Sequence, residues 1–244
     1  MKKFLNAFGL PILTFLCGAA AAGLQHWILS TADEKNLLAS GHIAPILLWI
    51  LSVGLLVALF ILTRPLVQAP KYSFNFPPSL LGGCGAVVAA VGVLITAVDM
   101  LLGGGDPLNT LTAVFGILCA VCLTLTGYSR WKGKRLNVLL HCVVCVFFLL
   151  LLVCQYRQWS SEPQLQTYVF QLLATVFLMV GAYQRACFDG RMGSRKNYAF
   201  FRLAGAYFCF AAIPGSAIWF LYLAVMLWSV TDLCNLTPMS RKGR

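Results

Sequence analysis

The sequence predicts an all-α, polytopic membrane helical bundle of about eight transmembrane helices with N- and C-termini in the cytoplasm. The first observation is composition: the 244 residues are 60% hydrophobic and 10% charged, a balance foreign to soluble domains. The second is length, because the apolar residues fall into eight long stretches. Each approaches the roughly 20 residues that a helix rising 1.5 Å per residue needs to cross a hydrocarbon core about 30 Å thick. The third is charge placement. Of the 18 basic residues, 16 fall in alternate gaps or beside them and two, Lys35 and Arg157, in the others, the bias that positive charge imposes during insertion. Backbone groups in lipid must be paired within their own segment, so each stretch reads as a helix.

The expected spans are 4–23, 43–62, 80–102, 108–128, 136–156, 165–187, 198–213 and 217–234, forming one transmembrane domain over 1–244. The first follows Lys2 and Lys3, and with the run Ala19 to Ala22 it imitates a cleaved secretory signal. Its apolar length favours a retained span. Pro11, Thr14, Gly18, Ala21 and Gln25 share one of its faces. The second, Ile43 to Leu62, is almost wholly apolar. After it, the loop Arg64 to Ser79 mixes Pro65, Pro70, Pro77 and Pro78 with Tyr72, Phe74 and Phe76, as expected of an interfacial segment or, alternatively, a partner-docking one.

The third span carries the clearest periodic signal. Gly85, Ala89, Gly92, Thr96 and Asp99 recur at spacings of three and four, which makes a stripe of small and polar residues that admits a close helix. The first and third spans run in the same direction, so Asp99 is expected near Gln25 or His26. A charge at mid-bilayer costs about 2.5 to 3.5 kcal/mol on insertion scales and less near the outer end, where Asp99 falls, so Asp99 reads either as a hydrated cap or helix-pairing residue or as a proton or cation ligand. Gly103-Gly104-Gly105-Asp106-Pro107 then reads as a turn without the Lys-Ser/Thr of a phosphate-binding loop.

The fourth and fifth spans hold Cys119-x-x-Cys122 and Cys142-x-x-Cys145, the latter beside His141. Across a short basic turn, Arg130 to Arg135, the two pairs come to similar depth, and four thiols there would suit a metal or a dithiol centre. Thiolates are costly in lipid, and cysteine packs as a small apolar residue, so packing is the favoured reading and no metal is expected. In the sixth span Gln164, Tyr168, Gln171 and Thr175 share a face that either lines a polar path or hydrogen-bonds a neighbour. The seventh and eighth spans are short, with Ile213-Pro214-Gly215-Ser216 as a turn between them. Asp232 should pair with Arg185 or Arg202. Trp27, Trp159 and Trp219 at one boundary, and Tyr128, Trp131, Tyr183 and Tyr198 at the other, suit interfacial anchors.

Neither a nucleophile with its base, nor a carboxylate dyad, nor a His-Glu metal helix is present, and the Asn235-Leu236-Thr237 sequon falls on the cytoplasmic side. The net charge of +11 reads as a topology signal rather than as nucleic-acid binding, with anionic headgroups as a secondary partner. The expected function is therefore a non-catalytic transporter-like or membrane-accessory protein, without cofactor, in a bacterial plasma membrane. Its partners are the lipid bilayer and, through its helices, further membrane subunits. A membrane thiol or metal protein and a structural subunit of a complex are the alternatives.

Overall fold

The computed structural model describes residues 9–31, 42–66, 75–103, 106–159 and 165–234. Among these the chain forms eight helices and no strand: α1 (Leu10–Thr31), α2 (Ile43–Thr63), α3 (Leu80–Leu102), α4 (Pro107–Lys132), α5 (Val138–Trp159), α6 (Leu165–Asp189), α7 (Arg195–Ala212) and α8 (Trp219–Cys234). Six of them, α1 to α6, are long and apolar enough to cross a membrane. The α7 and α8 helices are shorter, 18 and 16 residues.

Local chemistry sets the ends. The Ser79 hydroxyl accepts from Gly82 N–H at 3.0 Å and Asp106 from Leu108 N–H at 3.2 Å, satisfying donors that the first turn leaves unpaired. Pro107 follows in the first turn of α4, where a missing N–H costs nothing. Gly133 closes that helix at φ 63°, a left-handed position that glycine adopts without strain. Gly215, at φ 77°, serves the turn that separates α7 from α8, so the two are distinct helices.

The first helix corrects the expected boundary. It runs eight residues past Gly23, because Leu24 to Thr31 contains no breaker and a single glycine costs a helix only about 1 kcal/mol. The fourth helix likewise extends beyond Tyr128 to Lys132 and the seventh begins at Arg195 rather than Tyr198. Both extensions bring arginines into helices.

Consecutive packed helices run antiparallel. Gly83 faces Gly127 between α3 and α4, Gly116 faces Phe147 between α4 and α5, and Arg202 lies over Gly181 between α6 and α7. The α8 helix closes the ring by packing on both α3 and α7, while α1 packs on α7 and α2 lies outside against α1 and α7. Because its neighbours are α1, α2, α6 and α8, α7 is the most enclosed helix; most of its side chains are buried.

The small-residue stripe of α3 meets α8, not α1. A Cβ on Gly85 would collide with the Thr231 hydroxyl, and one on Gly92 would lie 2.5 Å from the Ala224 methyl. The expected packing of the first and third spans is thus corrected. The small face of α1 turns instead to α7, where a Cβ on Gly18 would come 2.6 Å from the Phe210 ring.

Candidate functional site

The ends of α3, α4, α5, α6, α7 and α8 that carry most of the basic residues enclose a polar cluster, here termed the basic end. Arg130, Arg185, Arg195, Arg202, Asp232 and His141 are each no more than 2% exposed, and Asp189 is buried with them. Fully buried arginines are rare, since stripping water from a charge costs several kcal/mol and must be met by partners.

Asp232, near the end of α8, is the hub. Its Oδ1 lies 2.6 Å from Arg130 Nε, and its Oδ2 lies 3.8 Å from Arg185 Nη1 and accepts the Tyr198 hydroxyl proton. Arg130 also donates to the Pro77 and Asp232 carbonyls at 3.3 Å. Room for its guanidinium exists because Gly82 carries no side chain: a Cβ there would be 3.3 Å from Nε. Arg185 reaches Asp189 one turn away at 3.6 Å, and Asp189 in turn takes His141 Nε2 at 2.7 Å. Four helices are joined to α8 or to one another by these contacts.

Aromatic rings fill the spaces between the charges. Phe76, from the segment before α3, is wholly buried with Arg185 Cζ 4.0 Å and Arg130 Cζ 5.0 Å from its centroid. It also packs edge-on against Phe188 and Tyr198. Such cation–π placement partly replaces lost hydration. Phe76 and Tyr198, expected at headgroup depth, are therefore interior residues.

Arg202 differs from the ion-paired Arg130 and Arg185. Its guanidinium lies 3.7 Å from the Trp228 ring centroid and 5.9 Å from that of Tyr198. Its Nε and Nη2, and the neighbouring Trp228 Nε1, have no hydrogen-bond acceptor among the described residues. A buried donor left in this state costs about 1 to 3 kcal/mol. The two carboxylates cannot neutralise the cluster either. Asp189 and Asp232 face Arg130, Arg185 and Arg202, and the other five acidic residues belong by sequence to the opposite end. The arrangement is a cationic, aromatic-walled group of donors suited to an anion's oxygens.

The residues singled out from sequence are not gathered here. Asp99 is exposed, on the outer face of α3, and Thr96 is buried but bonds its own helix at the Gly92 carbonyl, 3.0 Å away. Gln25 is buried on the face of α1 that meets α7, whereas His26 is exposed. Ala89 is buried in the α3 core with Gly85 and Gly92. Asp99 thus does not meet Gln25 or His26.

On α6, Gln164 lies outside the described residues, and Tyr168 stacks on Trp159 at 4.6 Å. The Thr175 hydroxyl donates to Gln155 Oε1 at 2.9 Å, Gln155 Nε2 donates to the Tyr222 oxygen at 2.7 Å, and Tyr222 reaches the Gln171 carbonyl at 3.3 Å. This is a packed knot between α5, α6 and α8. It shares no space with Asp99, which faces away from the bundle.

The four thiols do not converge. Cys119 and Cys122 are buried in α4, Cys142 is exposed, and Cys145 turns toward the Met179 carbonyl of α6 at 3.8 Å. Among the described residues no three His, Cys, Asp or Glu side chains are grouped to hold a metal.

The expected pairing of Asp232 is met by Arg185 at 3.8 Å, while its shorter contact, 2.6 Å, is to Arg130. The stronger signal was that two arginines lie inside spans, where an ionisable group is a functional candidate by default. Arg130, just beyond the expected end of its span, and Phe76, in a loop, carried no comparable signal. Comparison with known protein families, curated proteins and solved structures finds no match to this chain.

Proposed function

We propose that this chain is a non-catalytic integral membrane protein of the accessory kind, whose basic end faces the cytoplasm and binds an anionic group in the arginine cluster. The observation that carries this reading is Arg202, 2% exposed, with two guanidinium nitrogens and the adjacent Trp228 indole N–H lacking acceptors among the described residues. An oxyanion supplies those acceptors and offsets the excess positive charge, with charge-assisted hydrogen bonds about twice as strong as neutral ones. The orientation rests on the distribution of basic residues between the gaps. An accessory role is favoured over a conduit because the polar stripes that would line a path are separate: the α6 stripe is tied to Gln155 and Tyr222, and Asp99 faces outward.

Thermal unfolding of the purified protein in detergent tests the proposal, with inorganic phosphate titrated against chloride at constant ionic strength. A ligand that binds only the folded state at 100 times its Kd stabilises by about 2.7 kcal/mol. The expected result is a saturable rise in Tm for the native protein and none for Arg202→Gln. Equal responses from both, or none from the native protein, would refute anion binding at this site.

A further inference from the structure

The first turns of α7 have a second face. Arg195, Tyr198 and Arg202 are buried in the bundle, whereas Lys196, Asn197, Phe200 and Phe201 line an open groove of about 690 Å³ on its flank. Phe60, Thr63 and Arg64 at the end of α2 form the other wall. The walls meet where Phe60 and Phe200 pack edge to face at 6.2 Å, and the Arg64 guanidinium stands 4.7 Å from the Phe60 ring centroid.

We propose that this groove holds a membrane phospholipid with an anionic headgroup, its phosphate at Arg64 and Lys196 and an acyl chain along Phe60, Phe200 and Phe201. Three features commit the groove to that occupant. Among the described residues its lining contains two cations and no carboxylate. Its polarity is ordered along the membrane normal: Arg64 and Lys196 are each four residues from a groove phenylalanine, Phe60 and Phe200, and lie on the basic-end side of it. Four residues of helix rise about 6 Å, the scale over which a bilayer changes from phosphate to hydrocarbon. Finally, the groove lies on the bundle's flank, and Arg64, Lys196 and Phe60 are exposed, so a lipid reaches it laterally from the leaflet without any opening of the fold. Basic residues at a membrane surface select anionic over zwitterionic lipid. The groove does not depend on anion binding at Arg202, whose side chain is on the other face of the same helix.

Native mass spectrometry of the delipidated full chain, titrated with phosphatidylglycerol and with phosphatidylcholine of the same acyl chains, measures the preference. Phosphatidylglycerol should bind about tenfold tighter. Replacing both cations, Arg64→Gln with Lys196→Gln, should bring the two lipids to parity. Lys134→Gln with Arg135→Gln, which removes two exposed charges elsewhere at the basic end, should leave the preference intact. A photoactivatable phosphatidylglycerol, cross-linked in native membranes, should mark peptides containing Phe60 or Phe200. Equal binding of both lipids by the native chain, equal loss of preference in both double variants, or cross-links confined to other helices would overturn the site.

Discussion

At the scale of single residues, Asp232 is the most exposed to substitution because it balances more than one buried cation. Asp232→Asn keeps the shape but leaves Arg130 and Arg185 without their shared charge. Breaking a buried pair from one side costs about 3 to 5 kcal/mol, so unfolding in detergent should show a loss of that order. Tyr198→Phe removes one neutral donor to the same carboxylate and should cost about 1 to 2 kcal/mol. The exposed pair at the other end, Arg157 Nη1 to Asp106 Oδ2 at 3.0 Å, is the contrast. Asp106→Asn retains a good helix cap and forfeits an exposed ion pair, a change of about 1 kcal/mol or less. The Asp232–Arg185 pairing was legible in the sequence because spans of known direction put residues at comparable depth. Arg130 was not, since hydropathy ended its span at Tyr128 while the helix continued to Gly133 on backbone geometry that hydropathy does not register.

Among the elements, the face of each helix was more legible than its neighbour. The period of Gly85, Ala89 and Gly92 fixes a small-residue face, and the first helix has its own in Gly18 and Ala21, but periodicity does not say which face meets which. The chain pairs α3 with α8, where Ala224 and Thr231 lie opposite its glycines, and α1 with α7. Gly92→Leu should therefore destabilise the bundle by about 1 to 3 kcal/mol through overpacking and lower its yield in membranes. Gly23→Leu and Gly54→Leu, at positions where nothing lies within 4 Å of a new Cβ, should change little. The α6 stripe also had a correct face and an unseen partner: Gln155 and Tyr222 come from α5 and α8, where no periodic polar stripe points to them. Thr175→Val is expected to cost about 1 to 2 kcal/mol by leaving the Gln155 carbonyl oxygen without its donor.

For the molecule as a whole, composition and charge alternation were enough to give an all-helical membrane protein, because the physics involved, hydrocarbon thickness and the cost of unpaired backbone, is local to each span. The convergence of Arg130, Arg185 and Arg202 around Asp232 was hidden for the opposite reason, since it depends on how separate helix ends come together. Charges that orient the chain and charges that fill its interior look alike in sequence: Arg185 and Arg202 entered the count of orienting residues, yet both are buried. Orientation itself is open to a direct check. A reporter that is active only outside the cytoplasm should be silent when fused after Lys134 and active when fused after Trp159. The reverse pattern would put the basic end outside.

The most direct measurement for the arginine cluster is equilibrium binding of radiolabelled inorganic phosphate to the purified full chain at constant ionic strength. Saturable binding approaching one phosphate per chain, lost in Arg202→Gln and retained in the exposed-charge variant Lys134→Gln with Arg135→Gln, is the expected result. Binding that fails to saturate, or that survives Arg202→Gln unchanged, would contradict an anion site in the cluster.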